Sequence, residues 1–296
     1  MTTRRPRPRT LCAMITPFTP TGALDLPGAQ HLADHLVTEG CDGLVLSGTT
    51  GESPTTTDEE KAALITAVRE AIGTRARIIA GVGTPDTSHT IELARAAEKA
   101  GADGLLVVAP YYSRPPQDAI EAHFLAIADA TDLPLTLYDI PARTGVRIEP
   151  DTLIRLAEHP RITSVKDCSY DFLAAQKVMA RTDLAYYAGS DEHNLALYAV
   201  GATGYISTVA NVIPRHLRAV LDAFDAGETT KSARLQQQAT PLIEAMMSTG
   251  LPGTVTAKTL LTALNLPAGP ARPPLRPASA ETLTTLRTAY EEATTT

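Results

Sequence analysis

The sequence contains no tryptophan, few aromatic side chains and only three cysteines among 296 residues. The cysteines, Cys12, Cys41 and Cys168, are odd in number and lack the spacing of metal ligands, which argues against a disulfide scaffold and against a zinc site. Small secreted domains with little hydrophobic core usually carry paired cysteines. The sequence therefore predicts a protein of the reducing cytoplasm that holds no metal.

Long apolar runs and a cationic face are also missing. No apolar run approaches the roughly 18 to 20 residues that span a bilayer, which argues against a membrane protein. The net charge is −7 and the basic residues are scattered, so a nucleic-acid partner is not expected. Only residues 1–10 are locally basic, and no apolar segment of a secretory signal follows them. We predict a disordered tail over residues 1–10.

A glycine-bounded segment recurs along the chain. It reads GCDGLVL at residues 40–46, GADGLLV at 101–107 and, in weaker form, GATGYIS at 201–207. In each copy the first glycine can take the left-handed conformation that ends a helix, and an apolar run follows the second. Such runs are typical of strands that are buried on both faces, as in parallel sheets. The repeats predict a repeating helix and strand unit.

The remaining pattern completes eight such units. Five further apolar runs lie at residues 11–15, 77–81, 135–138, 162–166 and 184–188, and amphipathic stretches between the runs include 58–72, 87–100, 117–130 and 172–181. The spacing favours an α/β fold of the (β/α)₈ TIM-barrel class over residues 11–226. A doubly wound sheet is the alternative, but no Gly-x-Gly-x-x-Gly follows the first strand. Residues 227–296 are predicted to form a helical extension, with helices at 233–248, 254–264 and 279–292.

Lys166 is the sharpest chemical signal in the sequence. It ends the sixth apolar run, and the chain has only six lysines against twenty arginines. Catalytic residues of such barrels lie at the carboxyl ends of the strands, where burial disfavours the ammonium form and leaves an amine able to form a Schiff base. The position equally fits a lysine that is ion-paired to Asp167 or that lies along the barrel rim. Lys258 is a rival nucleophile in a helical stretch beyond the barrel.

Other polar residues close the predicted strands two, five and seven. The Gly48 to Gly51 turn offers two hydroxyls and backbone amides to a small carboxylate, although most such turns only connect a strand to a helix. Tyr138 could carry protons or simply lie at the rim with a satisfied hydroxyl. Arg143 presents a planar fork for a second carboxylate or is a surface arginine. Gly189 begins the segment that closes strand seven.

Five motifs together resemble one known superfamily. They are SGTTGESPTTT at residues 47–57, PYY at 110–112, YDIP at 138–141, VKD at 165–167 and GATGYIS at 201–207. Over residues 11–266 the chain is similar to the dihydrodipicolinate synthase and N-acetylneuraminate lyase superfamily of class I pyruvate aldolases, and most closely to its dihydrodipicolinate synthase branch. The resemblance implies a (β/α)₈ barrel with extra C-terminal helices, assembled as a dimer of dimers, and no cofactor or metal.

The resemblance also implies the reaction and the roles of individual residues. Pyruvate would condense with aspartate 4-semialdehyde to 4-hydroxy-tetrahydrodipicolinate, in the biosynthesis of lysine and diaminopimelate. Lys166 would form the Schiff base with pyruvate. The implied proton relay consists of Tyr138, Thr49 and Tyr112, with Tyr112 reaching into the site of a neighbouring subunit, and the implied substrate-binding groups are Thr50, Arg143, Gly189 and the backbone of Ile206.

Two other functions stay open at this point. The first is an aldolase that uses the same lysine on a 2-keto-3-deoxy sugar acid, because the Lys-Asp-x-Ser form at residues 166–169 also occurs in such lyases. The second is a non-catalytic barrel that binds a small acid. The presence of Lys166, Tyr138 and the two threonines argues against the second, since a binding protein has no need for an uncharged amine.

Overall fold

The computed structural model describes residues 7–295, and within them eight parallel strands close into a barrel in the order of the chain. The (β/α)₈ prediction is confirmed, and the closed order excludes the doubly wound alternative. The closing pair joins the first and the last strand, with Leu11 opposite Ile206. The strands are β1 (Thr10–Ala13), β2 (Gly43–Leu46), β3 (Arg77–Gly81), β4 (Gly104–Val108), β5 (Leu135–Asp139), β6 (Ile162–Asp167), β7 (Ala185–Ala188) and β8 (Gly204–Ser207).

Helices follow each strand and surround the barrel. They are α1 (Leu26–Thr38), α2 (Asp58–Ile72), α3 (Thr87–Ala100), α4 (Gln117–Asp129), the short α5 (Pro141–Thr144), α6 (Pro150–Leu156), α7 (Phe172–Met179), α8 (Asn194–Ala199) and α9 (Pro214–Asp225). Helix α2 begins with a reciprocal capping box, in which the Thr57 and Glu60 side chains each accept a backbone N–H of the other residue. No helix within residues 7–295 is long and apolar enough to cross a membrane.

The recurring glycine segments form the turns that the sequence predicts. Gly40, Gly101 and Gly201 have φ of +105°, +97° and +110°, a region that other residues rarely enter. Gly43 and Gly104 then open β2 and β4. Each repeat therefore ends one helix and starts the next buried strand, which explains why the sequence pattern locates these strands so closely.

Side chains alternate along each strand between the barrel interior and the surrounding helices. The interior contains a small cluster of buried apolar side chains, including Leu11, Val45, Leu106 and Tyr138. The larger cluster lies between the strands and the outer helices, and it carries most of the buried apolar surface. Polar residues on the strands therefore fall into two classes. Those that face inward can reach a substrate, whereas their neighbours in the chain face the helices.

The beginning of the chain differs from the prediction of a disordered tail over residues 1–10. Residues 1–6 lie outside the described part, but Thr10 belongs to β1. Arg9 forms ion pairs with Asp222, at 2.7 Å, and with Asp225 on α9. The Tyr187 hydroxyl, at the end of the barrel opposite the carboxyl ends of the strands, donates to the Pro8 carbonyl at 3.0 Å. Residues 8–10 are therefore held by distant partners that the local sequence does not reveal.

The C-terminal extension consists of three helices within the described residues. They are α10 (Thr229–Met247), α11 (Gly253–Ala263) and α12 (Ala280–Thr294). Helix α10 packs against α9 and α12, while α11 reaches the loop after β2 through Thr254, whose hydroxyl donates to the Thr50 carbonyl at 3.2 Å. The extension therefore contacts the end of the barrel where the strands finish.

Candidate active site

Lys166 and Tyr138 lie side by side inside the barrel. They are paired across β6 and β5, so their side chains leave the sheet at the same level and on the same face. The Lys166 Nζ atom lies 4.5 Å from the centre of the Tyr138 ring. Only 5% of Lys166 is exposed. The strand register alone thus brings an amine and a phenol together at the end of the barrel where β/α barrels carry their chemistry.

The environment of Lys166 favours the neutral amine. Burial lowers its pKa below the usual 10.5, and the positive charge of Arg143 acts in the same direction, while Cys168 and Asp191 oppose the fall. Within residues 7–295, no carboxylate forms an ion pair with the Lys166 amine. An unpaired, desolvated amine is the form of lysine that attacks a carbonyl carbon.

The geometry argues against two alternative interpretations of the lysines. Asp167 faces away from Lys166, because consecutive strand residues point to opposite sides, and it accepts hydrogen bonds from the Tyr186 hydroxyl and, at 2.6 Å, from the Ser169 amide. Lys258 is buried on α11 with its Nζ 2.5 Å from Glu52. Burial lowers the pKa of Lys258 as well, but Glu52 opposes the fall and, unlike any group beside Lys166, occupies the amine directly.

Tyr138 is buried, and its hydroxyl interacts with the side chain of Thr49 at the end of β2. Burial and the neighbouring Cys168 raise the pKa of the Tyr138 phenol well above 10, while the hydrogen bond with Thr49 and the charge of Arg143 oppose the rise. The phenol therefore stays protonated at neutral pH and can donate a proton that it regains through Thr49. This geometry suits a proton carrier.

The threonine turn after β2 is fixed from several sides. Its first residue, Ser47, has a φ of +54°, and the Glu52 amide donates to the Thr49 carbonyl at 3.2 Å. Thr50 is buried, and its hydroxyl lies 3.0 Å from that of Thr208, in the loop after β8. Thr49, in contrast, is exposed at the barrel mouth. The turn therefore directs one hydroxyl to the mouth and one to the loop that follows Ile206.

Gly189 lies directly beside the lysine. A Cβ atom at this position would come within 3.0 Å of the Lys166 Cε atom and within 2.4 Å of the Cys168 sulfur. On the neighbouring strand β8, Ile206 is buried, and Asp191 accepts hydrogen bonds from the Ser207 hydroxyl and from the backbone amides that follow. Any side chain at residue 189 would occupy the space that the amine needs.

A cavity of about 660 Å³ opens at the carboxyl ends of the strands, and Tyr138, not Lys166 itself, reaches its wall. Thr49, Tyr138 and Arg143 line it, together with Tyr111 after β4. Arg143 lies on α5 and is exposed, and none of the carboxylates in the described part of the chain forms an ion pair with it. A free guanidinium at the wall of a cavity is suited to bind a carboxylate in a bidentate manner.

The two adjacent tyrosines after β4 point in different directions. Tyr111 lines the cavity of its own barrel. Tyr112 is 95% exposed and has a φ of +70°, a conformation that is uncommon for a bulky residue. Of the eight residues predicted to form the site, Tyr112 is the one that the fold of a single chain leaves away from the others.

Some neighbours of the site were not predicted from the sequence. Cys168 contacts both Tyr138 and the surroundings of Lys166, although the sequence suggests only a small packed residue. Thr254 reaches the turn from 204 positions further along the chain, a contact without any local signal. Among the side chains of residues 7–295, no group of three His, Cys, Asp or Glu residues could hold a metal ion.

Asp139, next to Tyr138, is a buried carboxyl group on the outer face of β5. Burial raises its pKa to about 7, although its side chain accepts the Ile148 amide at 3.0 Å. The folded protein therefore binds this proton more tightly than the unfolded chain does. The contribution of Asp139 to stability falls as the pH rises from about 4 to about 7, by up to about 1.4 kcal/mol per pH unit.

We predict that Asp139→Asn removes this dependence, because the amide oxygen still accepts the Ile148 hydrogen bond. The free energy of unfolding of the variant, relative to the native protein, should be larger at pH 8 than at pH 5 by about 1 to 3 kcal/mol. Urea unfolding at both pH values, at one protein concentration, measures this. The exposed Asp132 provides the control substitution, Asp132→Asn. A difference that does not change with pH would contradict the prediction.

The whole chain matches known proteins. A family model described as the dihydrodipicolinate synthetase family matches residues 7–293. The chain is 72% identical over 284 residues to 4-hydroxy-tetrahydrodipicolinate synthase 1 of Streptomyces coelicolor, covering 96% of this chain and 93% of the relative. It is 54% identical to the 4-hydroxy-tetrahydrodipicolinate synthase of Acidothermus cellulolyticus, with coverage of 97% and 93%.

Solved structures give the same result. A dihydrodipicolinate synthase of Cyanidioschyzon merolae, crystallised with lysine bound, superposes with a TM-score of 0.93 at 38% identity over 96% of this chain and 97% of that chain. A dihydrodipicolinate synthase of Bacillus anthracis also superposes with a TM-score of 0.93, at 36% identity and the same coverage. The similarity includes both the barrel and the C-terminal helices.

Proposed function

We propose that Lys166 is the amine that forms a Schiff base with pyruvate in a chain that belongs to the dihydrodipicolinate synthetase family. The protein is a lyase of lysine and diaminopimelate biosynthesis that condenses pyruvate with aspartate 4-semialdehyde. The observation that carries this proposal is the buried Lys166 Nζ, free of any carboxylate among the described residues and 4.5 Å from the Tyr138 ring. Attack of the amine on the pyruvate carbonyl forms a carbon–nitrogen bond and releases water.

We further propose that Tyr138 and Thr49 move the protons of this reaction. Loss of the carbonyl oxygen as water needs a donor, and the buried phenol stays protonated at neutral pH. The imine then acidifies the pyruvate methyl group, and loss of a methyl proton leaves an enamine. The enamine carbon attacks the aldehyde, and cyclisation releases Lys166 for the next turnover. Thr50 and the Ile206 backbone would hold the pyruvate carboxylate, and Gly189 leaves space for it beside the lysine.

Arg143 would bind the carboxylate of aspartate 4-semialdehyde. Its guanidinium lines the cavity next to Tyr138 and is free of ion pairs with the described carboxylates. The positive charge of this guanidinium suits the carboxylate of a compact acidic aldehyde better than the hydroxyl-rich chain of a sugar acid. The names of the relatives, which are 4-hydroxy-tetrahydrodipicolinate synthases, favour the same acceptor over a 2-keto-3-deoxy sugar acid.

We predict that Arg143→Ala lowers kcat/KM for aspartate 4-semialdehyde by about 10- to 100-fold. The variant loses hydrogen bonds to a charged group, which contribute about 1.5 to 3 kcal/mol of binding free energy. Trapping of pyruvate on Lys166 should remain unchanged. A coupled steady-state assay with both substrates measures the effect. Arg155, which forms a 2.7 Å ion pair with Glu121 on the outer helices, is the control. Equal kcat/KM values for Arg143→Ala and Arg155→Ala would remove Arg143 from the site.

The surface of the chain supports a homo-oligomer. Tyr112 is exposed beside the cavity mouth, and a second exposed apolar group after β6 consists of Tyr170, Phe172 and Leu173. The exposed tyrosines Tyr111 and Tyr112 and the group after β6 are two separate surfaces, which suits the two interfaces of a dimer of dimers. We propose that Tyr112 enters the site of a neighbouring subunit. The three buried thiols are free, as expected for the cytoplasmic location that we also propose.

A further inference from the structure

A buried ion pair lies directly behind the threonine turn. The Lys258 Nζ atom is 2.5 Å from the Glu52 carboxylate, and the side chains are only 3% and 1% exposed. Glu52 closes the turn that begins with Ser47, whereas Lys258 lies on α11, outside the barrel. Removing two charges from water is costly, and their attraction at this depth repays the cost only where further contacts satisfy both groups.

Both members of the pair also contact the segment after α11. The second Glu52 oxygen accepts the Arg272 amide at 2.8 Å, and the Lys258 ammonium donates to the Pro270 carbonyl at 3.0 Å. The Phe18 ring lies between the two cations, 4.1 Å from the Lys258 Nζ and 4.0 Å from the Arg272 guanidinium carbon. The pair is therefore the centre of a cluster that joins α11, the segment after it and the loop after β1.

The pair also holds a backbone conformation that is costly by itself. Glu52 has a φ of +56°, in the left-handed region that residues with a Cβ atom rarely occupy. In this conformation its amide donates to the Thr49 carbonyl at 3.2 Å, which closes the turn. Helix α11 holds the same turn a second time, since the Thr254 hydroxyl, one helical turn before Lys258, donates to the Thr50 carbonyl at 3.2 Å.

We propose that Glu52 and Lys258 are positioning residues, which fix the threonine turn so that the Thr49 hydroxyl meets Tyr138. Neither side chain lines the cavity, so both act through the turn. The inference rests on the proposed function, in which Thr49 belongs to the proton relay. It assigns to the C-terminal extension a direct part in the geometry of the barrel mouth.

The test uses the paired variant Glu52→Gln with Lys258→Met, which removes both charges together and so leaves no unpaired buried charge. We expect kcat to fall by about 10- to 100-fold, as for a misplaced catalytic group. The yield of the borohydride-trapped adduct at saturating pyruvate should change by less than about 3-fold, whereas the KM for pyruvate should rise because Thr50 lies on the same turn. The control removes Arg69 and Asp103, paired at 2.5 Å towards the opposite end of the barrel, as Arg69→Met with Asp103→Asn, and should leave kcat unchanged.

A double-mutant cycle with Thr49→Val separates positioning from general destabilisation. In the Thr49→Val background the paired substitution should cause no further loss of kcat, because its effect on kcat is carried by Thr49. Losses that multiply, or an unchanged kcat, would overturn the inference. If Thr49→Val alone keeps full activity, the proposed relay fails instead. Should the paired variant not fold, Thr254→Val loosens the same turn with the ion pair intact and must show the same kcat loss and the same non-additivity.

Discussion

Borohydride reduction in the presence of pyruvate should add one pyruvate-derived mass to each chain, at Lys166. The amine is buried and free of ion pairs with the described carboxylates, so it forms an imine that hydride converts to a stable secondary amine. Lys166→Ala should lose the adduct and reduce turnover by at least about 10³-fold, since the covalent intermediate is lost with the amine. Intact-mass and peptide mass spectrometry locate the adduct.

Lys61 provides a matched control for this experiment. It is another buried lysine, at the wall of the cavity that Tyr138 lines, and its Nζ donates to the Thr56 carbonyl at 2.7 Å. Burial lowers the pKa of Lys61 as well. If a lowered pKa were sufficient for reaction with pyruvate, Lys61 would also carry the adduct. Lys61→Met should keep the adduct on Lys166. An adduct on Lys61 or on Lys258 in active protein would refute the assignment of the nucleophile.

Mixed oligomers of two inactive variants should regain activity. Tyr112→Phe and Tyr138→Phe are each expected to lower turnover by about 10²- to 10⁴-fold, because each removes one hydroxyl of the proton relay. If Tyr112 serves the neighbouring barrel, a mixed dimer holds one site with both hydroxyls. Random pairing of equal amounts would restore about a quarter of the native activity. Co-expression with two affinity tags and purification on both isolates the mixed species for assay.

A second pair of variants shows whether recovery depends on Tyr112. Tyr138 and Lys166 lie in the same barrel, on the neighbouring strands β5 and β6. Mixtures of Tyr138→Phe and Lys166→Ala chains therefore contain no complete site and should stay inactive. If the Tyr112→Phe and Tyr138→Phe mixture is as inactive as this control, the relay is built within one chain and the proposed role of Tyr112 is wrong.

The barrel and the position of its lysine could be predicted from the sequence because their signals are local. Strands covered on both faces appear as apolar runs, and glycines with positive φ mark the helix ends before three of them. A charged residue that ends such a run, as Lys166 does, stands out for the same reason. A pair between Lys166 and Asp167 stayed open from the sequence, and the structure removes it because neighbours on a strand face opposite sides and Asp167 finds its partners outside the barrel.

Contacts between distant parts of the chain could not be predicted in this way. Glu52 and Lys258 are 206 positions apart, and nothing near either residue indicates the other. The order of residues 8–10 was missed for the same reason, since Arg9 finds its carboxylate partners on α9. Sequence periodicity reports which face of an element is buried, and it carries no information on which distant charge will meet it there.

The contacts of the first strand have a consequence for synthesis on the ribosome. Strand β1 closes the barrel against β8, and Arg9 reaches Asp222 and Asp225 on α9. These partners are translated last among the elements of the barrel, so one edge of β1 stays unpaired until more than two thirds of the chain has been made. Such late, long-range pairing is slow and leaves an apolar edge exposed. The nascent chain is thus most prone to aggregate during the interval before α9 leaves the exit tunnel.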